Sequence, residues 1–203
     1  MMPFRPPQLI ESDEILMRPP APEDAQALFD EMLSDAETMR YLPFPRHTTL
    51  DDTLAYIEES RRGWESGSLL RWLLVDKATG NLTALIQLEP RPPRAEIGVI
   101  ISRQGGSRKR RAGLQVLRKL IKWLLAQPAI YRLYACCATD GPAQSAMERL
   151  GFVLEAKLTN YESRPNMGVV VGDSYLYVMT RSAAVPPATP ATRWLASEEE
   201  TTA

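Results

Sequence analysis

Histidine is nearly absent from this 203-residue chain and cysteine is scarce: His47 stands alone, and Cys136 and Cys137 are the two thiols. A zinc site draws on clusters of His and Cys, and a single imidazole with no CxxC leaves little to build one from. A Ser-His-Asp or Cys-His set would have to use His47, which sits among Pro43, Pro45 and threonines with no partnered base beside it. Adjacent residues of a strand point to opposite faces, so Cys136 and Cys137 are poorly placed to join each other, and a reduced, intracellular setting suits them better. Net charge is also missing. The formal value of −1 excludes a polycation built for nucleic acid and makes any basic patch local. No apolar run is long enough to span a membrane, and the opening MMPFRPPQLIESDE has no core of signal-peptide length, so a cytoplasmic protein is expected.

What is present is an ordinary globular composition, 44% hydrophobic. Residues 1–13 are proline-rich and read as a flexible N-terminal segment. Residues 182–203 contain PPATPAT and SEEETTA, the composition of a disordered tail, with Trp194-Leu195 as a possible sticky spot. Between them, residues 14–181 read as one domain. Ile15–Met17 is a short strand. Pro22-Glu23-Asp24 opens a helix with Leu28, Phe29, Met32 and Leu33 on its apolar face. A short helix over 36–41 follows, then a longer one from Thr49, with Gly63 and Gly67 at its end. Strands are expected over 70–75, 82–88 and 95–102, then a long helix to Pro128 and a strand over 130–139. Asp140 is placed to N-cap a helix that Gly151 stops, and 152–161 and 169–179 read as a closing antiparallel pair.

The stretch Ala95–Gln127 organises this order. AEIGVIIS is an apolar, β-branched strand, RQGGSRKRRAG is a loop rich in glycine and cations, and LQVLRKLIKWLLAQ is an amphipathic helix. A helix start attracts anions, phosphate above all, whereas cations usually avoid it. Arg108, Lys109, Arg110 and Arg111 crowded there point either to a bound phosphate ligand or to a solvated basic face. Nucleic-acid binding through SRKRR is disfavoured because no aromatic platforms are interleaved with the cations. The fourth and fifth strands flank the long helix and are expected to be parallel neighbours joined by a right-handed crossover. The ligand is expected at the loop between the fourth strand and that helix.

With these residues in this order, the chain resembles the GNAT superfamily of acyl-CoA-dependent N-acyltransferases, and within it the RimJ/RimL-like branch that acetylates ribosomal-protein N-termini. The resemblance is carried by Leu16-Met17-Arg18-Pro19 with Pro22-Glu23-Asp24-Ala25, the hairpin Trp72–Leu88, Ala95-Glu96-Ile97-Gly98, Glu148-Arg149-Leu150-Gly151-Phe152, and Asp173 within DSYLYVMTR. It implies an α/β fold: a mixed, mostly antiparallel sheet whose parallel strands 4 and 5 splay around the cofactor, with helices on both faces. It implies a bacterial-type cytoplasmic transferase using acetyl-CoA or another acyl-CoA and no metal. The acceptor would be a primary amine, either a peptide N-terminus or a small molecule, with neither nucleic acid nor membrane as partner; a homodimer is allowed. The alternative is a catalytically degenerate protein of the same fold that binds a ligand or partner without acyl transfer.

The resemblance also places residues. The cofactor would lie along Ile100, Ile101 and Ser102, then Gly106, Ser107, Arg108, Lys109, Arg110, Arg111, Ala112 and Gly113, with Asp140 and Ala143 across the gap. The family's pyrophosphate pattern, Q/R-x-x-G-x-G/A, is broken in both registers: Arg108-x-x-Arg111-x-Gly113 loses a glycine, and Gln104-x-x-Ser107-x-Lys109 loses two. Where the family often keeps a tyrosine acid this chain has Met147, and where it often keeps a glutamate base it has Ala135. Ala143 replaces the serine of the RimL branch. Glu96 therefore remains as the candidate base and Tyr134 as a candidate acid, with Glu89, Asp173 and Tyr175 as candidate acceptor contacts. A cysteine nucleophile is not expected, since nothing beside Cys136 or Cys137 in sequence lowers a thiol pKa.

Overall fold

The computed structural model describes residues 5–103 and 107–181, with residues 107–110 in backbone only. Eight strands form one sheet: β1 (Ile10–Glu11), β2 (Ile15–Arg18), β3 (Leu70–Asp76), β4 (Leu82–Arg91), β5 (Arg94–Ile101), β6 (Arg132–Ala138), β7 (Val153–Arg164) and β8 (Val169–Thr180), in the order β1-β2-β3-β4-β5-β6-β8-β7. Every neighbouring pair is antiparallel except β5–β6. These two are the fourth and fifth strands of the sequence reading, shifted by one label because β1 was not foreseen. The N-terminal segment expected to be flexible is tied down at its far end: Ile10 and Glu11 pair with β2, and Trp72 Nε1 donates to the Pro7 carbonyl at 3.1 Å.

The helices are α1 (Ala25–Leu28), α2 (Ala36–Met39), α3 (Leu50–Ser66), α4 (Ser107–Ala126) and α5 (Gln144–Leu150). Helix α1 runs on into a single π-helical turn, Phe29–Leu33. Two apolar cores separate the helices by face. Helices α4 and α5 pack Val116, Leu117, Leu120, Leu124, Met147 and Leu150 against Trp72, Ile86, Ile97 and Leu133. Leu28, Met32, Met39 and Ile57, from the α1–α3 side, pack against Leu73, Leu85 and Ile100. Alternation along the strands then fixes sides: Ala95 and Ile97 belong to the α4 face, so Glu96, Gly98 and Ile100 belong to the α1–α3 face.

Helix α3 shows how local chemistry sets an element. The Thr49 hydroxyl accepts from Asp52 N, and the Asp52 carboxylate accepts from Thr48 N and Thr49 N, a reciprocal cap. Those backbone donors hold the Asp52 pKa down to about 2. Gly67, at φ 73°, closes the helix as expected. Gly63 lies inside it instead, where a Cβ would come within 2.0 Å of the Leu69 carbonyl oxygen.

Two other boundaries differ from expectation. Helix α4 begins at Ser107, so the basic run lies inside its first turns and not in a preceding loop. Asp140 does not cap α5; the N-cap is Ala143, with no side-chain hydrogen bond.

Candidate active site

Strands β5 and β6 are paired for three residues only, Arg94, Ala95 and Glu96 against Arg132, Leu133 and Tyr134. Beyond that point β5 stays with β4 as far as Ile101, and β6 stays with β8 as far as Ala138. The sheet opens between them into a cleft of about 250 Å³. Backbone direction alternates along β5. Ser102 N donates to Thr83 O on the β4 side, while Pro93 O accepts from Tyr131 N on the β6 side. Even-numbered residues therefore bond to β4 and odd-numbered ones face β6. Past the parting, Val99 and Ile101 turn their N–H and C=O groups into the opening, with no ladder partner among the described residues.

Glu96 stands at the last paired position, directly opposite Tyr134, whose hydroxyl donates to Glu96 Oε2 at 2.9 Å. Half-burial pushes the Glu96 pKa above the ordinary carboxylate range; the Tyr134 hydrogen bond opposes that shift, and the nearby charges of Glu89 and Glu162 add to it. Glu96 makes no ion pair among the described residues. The Tyr134 pKa is raised, by burial first and then by the Glu96 bond. The Tyr134 hydroxyl holds the Glu96 carboxylate in place.

Two further carboxylates reach the same cleft. Glu89 pairs with Arg91 at 2.7 Å and accepts from Gln87 Nε2 at 3.1 Å. Glu162 is held from behind: its Oε2 accepts from Arg164 Nη2 at 3.0 Å and from Ser174 Oγ at 2.7 Å, and Arg164 and Ser174 are both buried. Behind Gln87 lies Arg71, buried, which donates to Gln87 Oε1, pairs with Glu59 at 2.6 Å and covers the Tyr56 ring at 3.7 Å from its centroid. At the other end the cleft is walled by Ala135, Ala138, Gly141, Ala143 and Met147.

A model of the acetyltransferase (GNAT) domain matches residues 14–153. The chain belongs to the GNAT acetyltransferase family. The enzyme class this assigns is N-acetyltransferase. No curated protein matches the sequence. Solved structures with the same fold include the microcin C7 self-immunity acetyltransferase in complex with acetyl-CoA and AMP, at 20% identity over 84% of this chain and 94% of that one, TM-score 0.73. Also similar is RimL, the ribosomal L7/L12 α-N-protein acetyltransferase, in complex with coenzyme A joined to a cysteine as a disulfide, at 19% identity over 85% and 97%, TM-score 0.71. The ribosomal-protein-S5-alanine acetyltransferase of Vibrio fischeri shares 15% identity over 88% and 99%, TM-score 0.71.

The GNAT domain brings together Glu96, Tyr134, Glu89, Ile100 and Ala143 at the cleft. Ile101 ends β5 with an exposed side chain. Other expected residues fall elsewhere. Asp173 is bound to Lys157 at 2.7 Å and to Asn160 N at 3.0 Å on the β7–β8 hairpin, which also lowers its pKa. Tyr175 packs edge-on to Tyr177 on the α4 face, across the sheet from Glu96. Ser102 is buried and donates to Thr83 and Glu31 carbonyls. Ala112 is buried in the α4 core, and Gly113 backs onto Leu74. Arg111 is exposed on α4 and Asp140 is exposed before α5. Gly106 lies outside the described residues, as do the side chains of Ser107, Arg108, Lys109 and Arg110.

Glu162, Tyr56 and the segment Tyr41–Phe44 were not foreseen at the site. They reach it through contacts some 120 residues apart in the chain, such as Ser163 to Pro43. Cys136 and Cys137 line the cleft, and burial pushes both thiols up, Cys136 to about 12, which rules against a thiolate nucleophile. Among the described residues no group of three His, Cys, Asp or Glu could hold a metal, and no helix is long and apolar enough to cross a membrane.

Proposed function

We propose that this GNAT domain transfers acetyl from acetyl-CoA to a primary amine that enters from the α1–α3 face, with Glu96 as general base. The observation that carries this is the parting of β5 and β6 at the Glu96–Tyr134 hydrogen bond. It sets a desolvated carboxylate beside a gap lined by unpaired backbone groups. An extended acyl-pantetheine arm fits such a gap, because the β5 groups of Val99 and Ile101 can satisfy its amides, and Ala135, Ala138 and Ala143 leave it room.

The amine must lose a proton to attack. Glu96 accepts it, directly or through water, and its raised pKa makes it a better acceptor than an ordinary carboxylate. The C–N bond forms first, and the C–S bond breaks once the nitrogen has released its second ammonium proton to water. A backbone N–H of β5 stabilises the oxyanion between those events. The sulfur leaves as a thiolate; a thiol pKa of about 8.5 requires no protein acid, so Tyr134 orients Glu96 and does not donate to the leaving group. Glu162 and Glu89 also line the mouth, each matched by an arginine, Arg164 and Arg91. Holding donor and amine in line supplies much of the remaining acceleration.

Calorimetric titration with acetyl-CoA, followed by CoA release with a panel of amines and peptides, tests this. Saturable binding with amine-dependent release is expected. Absence of binding at millimolar acetyl-CoA would exclude the reading, and binding without release for any acceptor would leave a ligand-binding protein.

A further inference from the structure

We infer that the acceptor is a singly charged primary amine whose first substituent is apolar, read by a rigid wall made of Tyr41, Leu42, Phe44 and Tyr56; this rests on the acyl-transfer reading above.

The charge comes from partners. Three carboxylates face the mouth, but Glu89 is matched by Arg91 and Glu162 by Arg164. Glu96 alone has no ion pair among the described residues. One unmatched negative charge suits one ammonium group, and a polyamine would find no second site for its other charges.

The apolar preference comes from the opposite wall. The segment between α2 and α3 lays Tyr41, Leu42 and Phe44 along the cleft, and Phe44 stacks on Tyr56 with ring centroids 6.5 Å apart. The Tyr56 hydroxyl is shut away from solvent and has no hydrogen-bond partner. The wall therefore offers the cleft the ring of Tyr56 and not its oxygen. A serine or aspartate side chain placed against Leu42, Phe44 and the Tyr56 ring would leave water for carbon surface.

The wall is also fixed in advance. Asn166, in the turn between β7 and β8, donates through Nδ2 to the carbonyls of Met39 at 2.7 Å and Phe44 at 2.9 Å, and its Oδ1 accepts from Arg46 N at 2.8 Å. Ser163 Oγ adds a bond to the Pro43 carbonyl at 2.9 Å. A segment without regular structure is thus clasped at both ends of its aromatic stretch. A substituent that docks on it spends little free energy ordering the protein. Asn166 is a positioning residue for this wall.

The test is titration of tetrapeptide amides beginning with Leu, Phe, Ser or Asp, and of butylamine and spermidine, into the protein with and without CoA. Peptides led by Leu or Phe should bind about ten-fold or more tightly than those led by Ser or Asp, the scale expected for apolar pocket discrimination. Spermidine should bind no better than butylamine. Phe44→Ala and Asn166→Ala should each shrink the ranking while leaving CoA affinity unchanged, which separates loss of the wall from loss of the fold. A flat ranking, one led by Ser, Asp or spermidine, or one preserved in both variants would overturn the proposal. Loss of CoA binding by the wild type would overturn acyl transfer instead, and the ranking on the CoA-free protein would still decide this inference.

Discussion

On the acyl-transfer proposal, function at the acceptor end of the cleft is written in side chains: Glu96 with Tyr134, Glu89 with Arg91 and Gln87, Glu162 with Arg164 and Ser174. At the cofactor end it is written in backbone and in the smallness of Ala135, Ala138 and Ala143. The first arrangement needs particular atoms at particular distances and so tolerates few substitutions. The second needs only an open strand edge and space, which many sequences provide. This explains how the chain can abandon the polar residues that the family often keeps at positions 135, 143 and 147 without closing the gap between β5 and β6.

The sharpest way to break this contrast is to remove a buried partner at the acceptor end. Arg164→Met strips Glu162 and Ser174 of their buried donor, and a cost of about 1–3 kcal/mol in unfolding free energy is expected by denaturant titration. Next comes Glu96→Gln, for which kcat should fall about 100-fold with CoA affinity unchanged, since a general base contributes at least that much. The same variant has a signature in pH. A carboxyl whose folded pKa is raised contributes stability below its unfolded value and loses it as pH rises through the folded one. Glu96→Gln should therefore raise Tm near neutrality and leave it unchanged below the free carboxylate pKa of about 4.3.

At the other end, Ala143→Phe fills the space. Overpacking costs of about 1–3 kcal/mol translate into roughly ten-fold or more weaker CoA binding by calorimetry, with amine binding to the CoA-free protein unaffected. The smallest effect is Tyr134→Phe, about five-fold in kcat for one lost hydrogen bond. Because that bond lowers the Glu96 pKa, the acid limb of the rate profile should move to higher pH in this variant. If Tyr134→Phe instead matched Glu96→Gln in size, Tyr134 would be an acid and the assignment of roles would need exchanging.

The same contrast governs what the sequence disclosed. Glu96 and Tyr134 are candidates in the sequence because Ala135 and Met147 stand where the resemblance implies a base and an acid. Their juxtaposition was not legible, since it depends on the parallel register. Asp173 looked equally significant in sequence, yet its register on β8 sends it to Lys157. Glu162 and the aromatic wall were invisible because the contact between the hairpin turn and residues 39–46 spans most of the chain. Strand β1 was missed because two residues, Ile10 and Glu11, carry no period to read. The start of α4 was placed late because glycine and cations in sequence looked like loop, whereas the cations occupy the first turns of the helix.

The short parallel ladder has a mechanical consequence. The eight strands amount to two panels, β1–β5 and β6–β8–β7, sewn together by three residues and the cores beneath them. An extended molecule lying between Val99 on one panel and β6 on the other would act as the missing length of seam. The donor would then be part of the architecture for as long as it stays, and each departure of coenzyme A would unpick the sheet along the line where the next amine must wait.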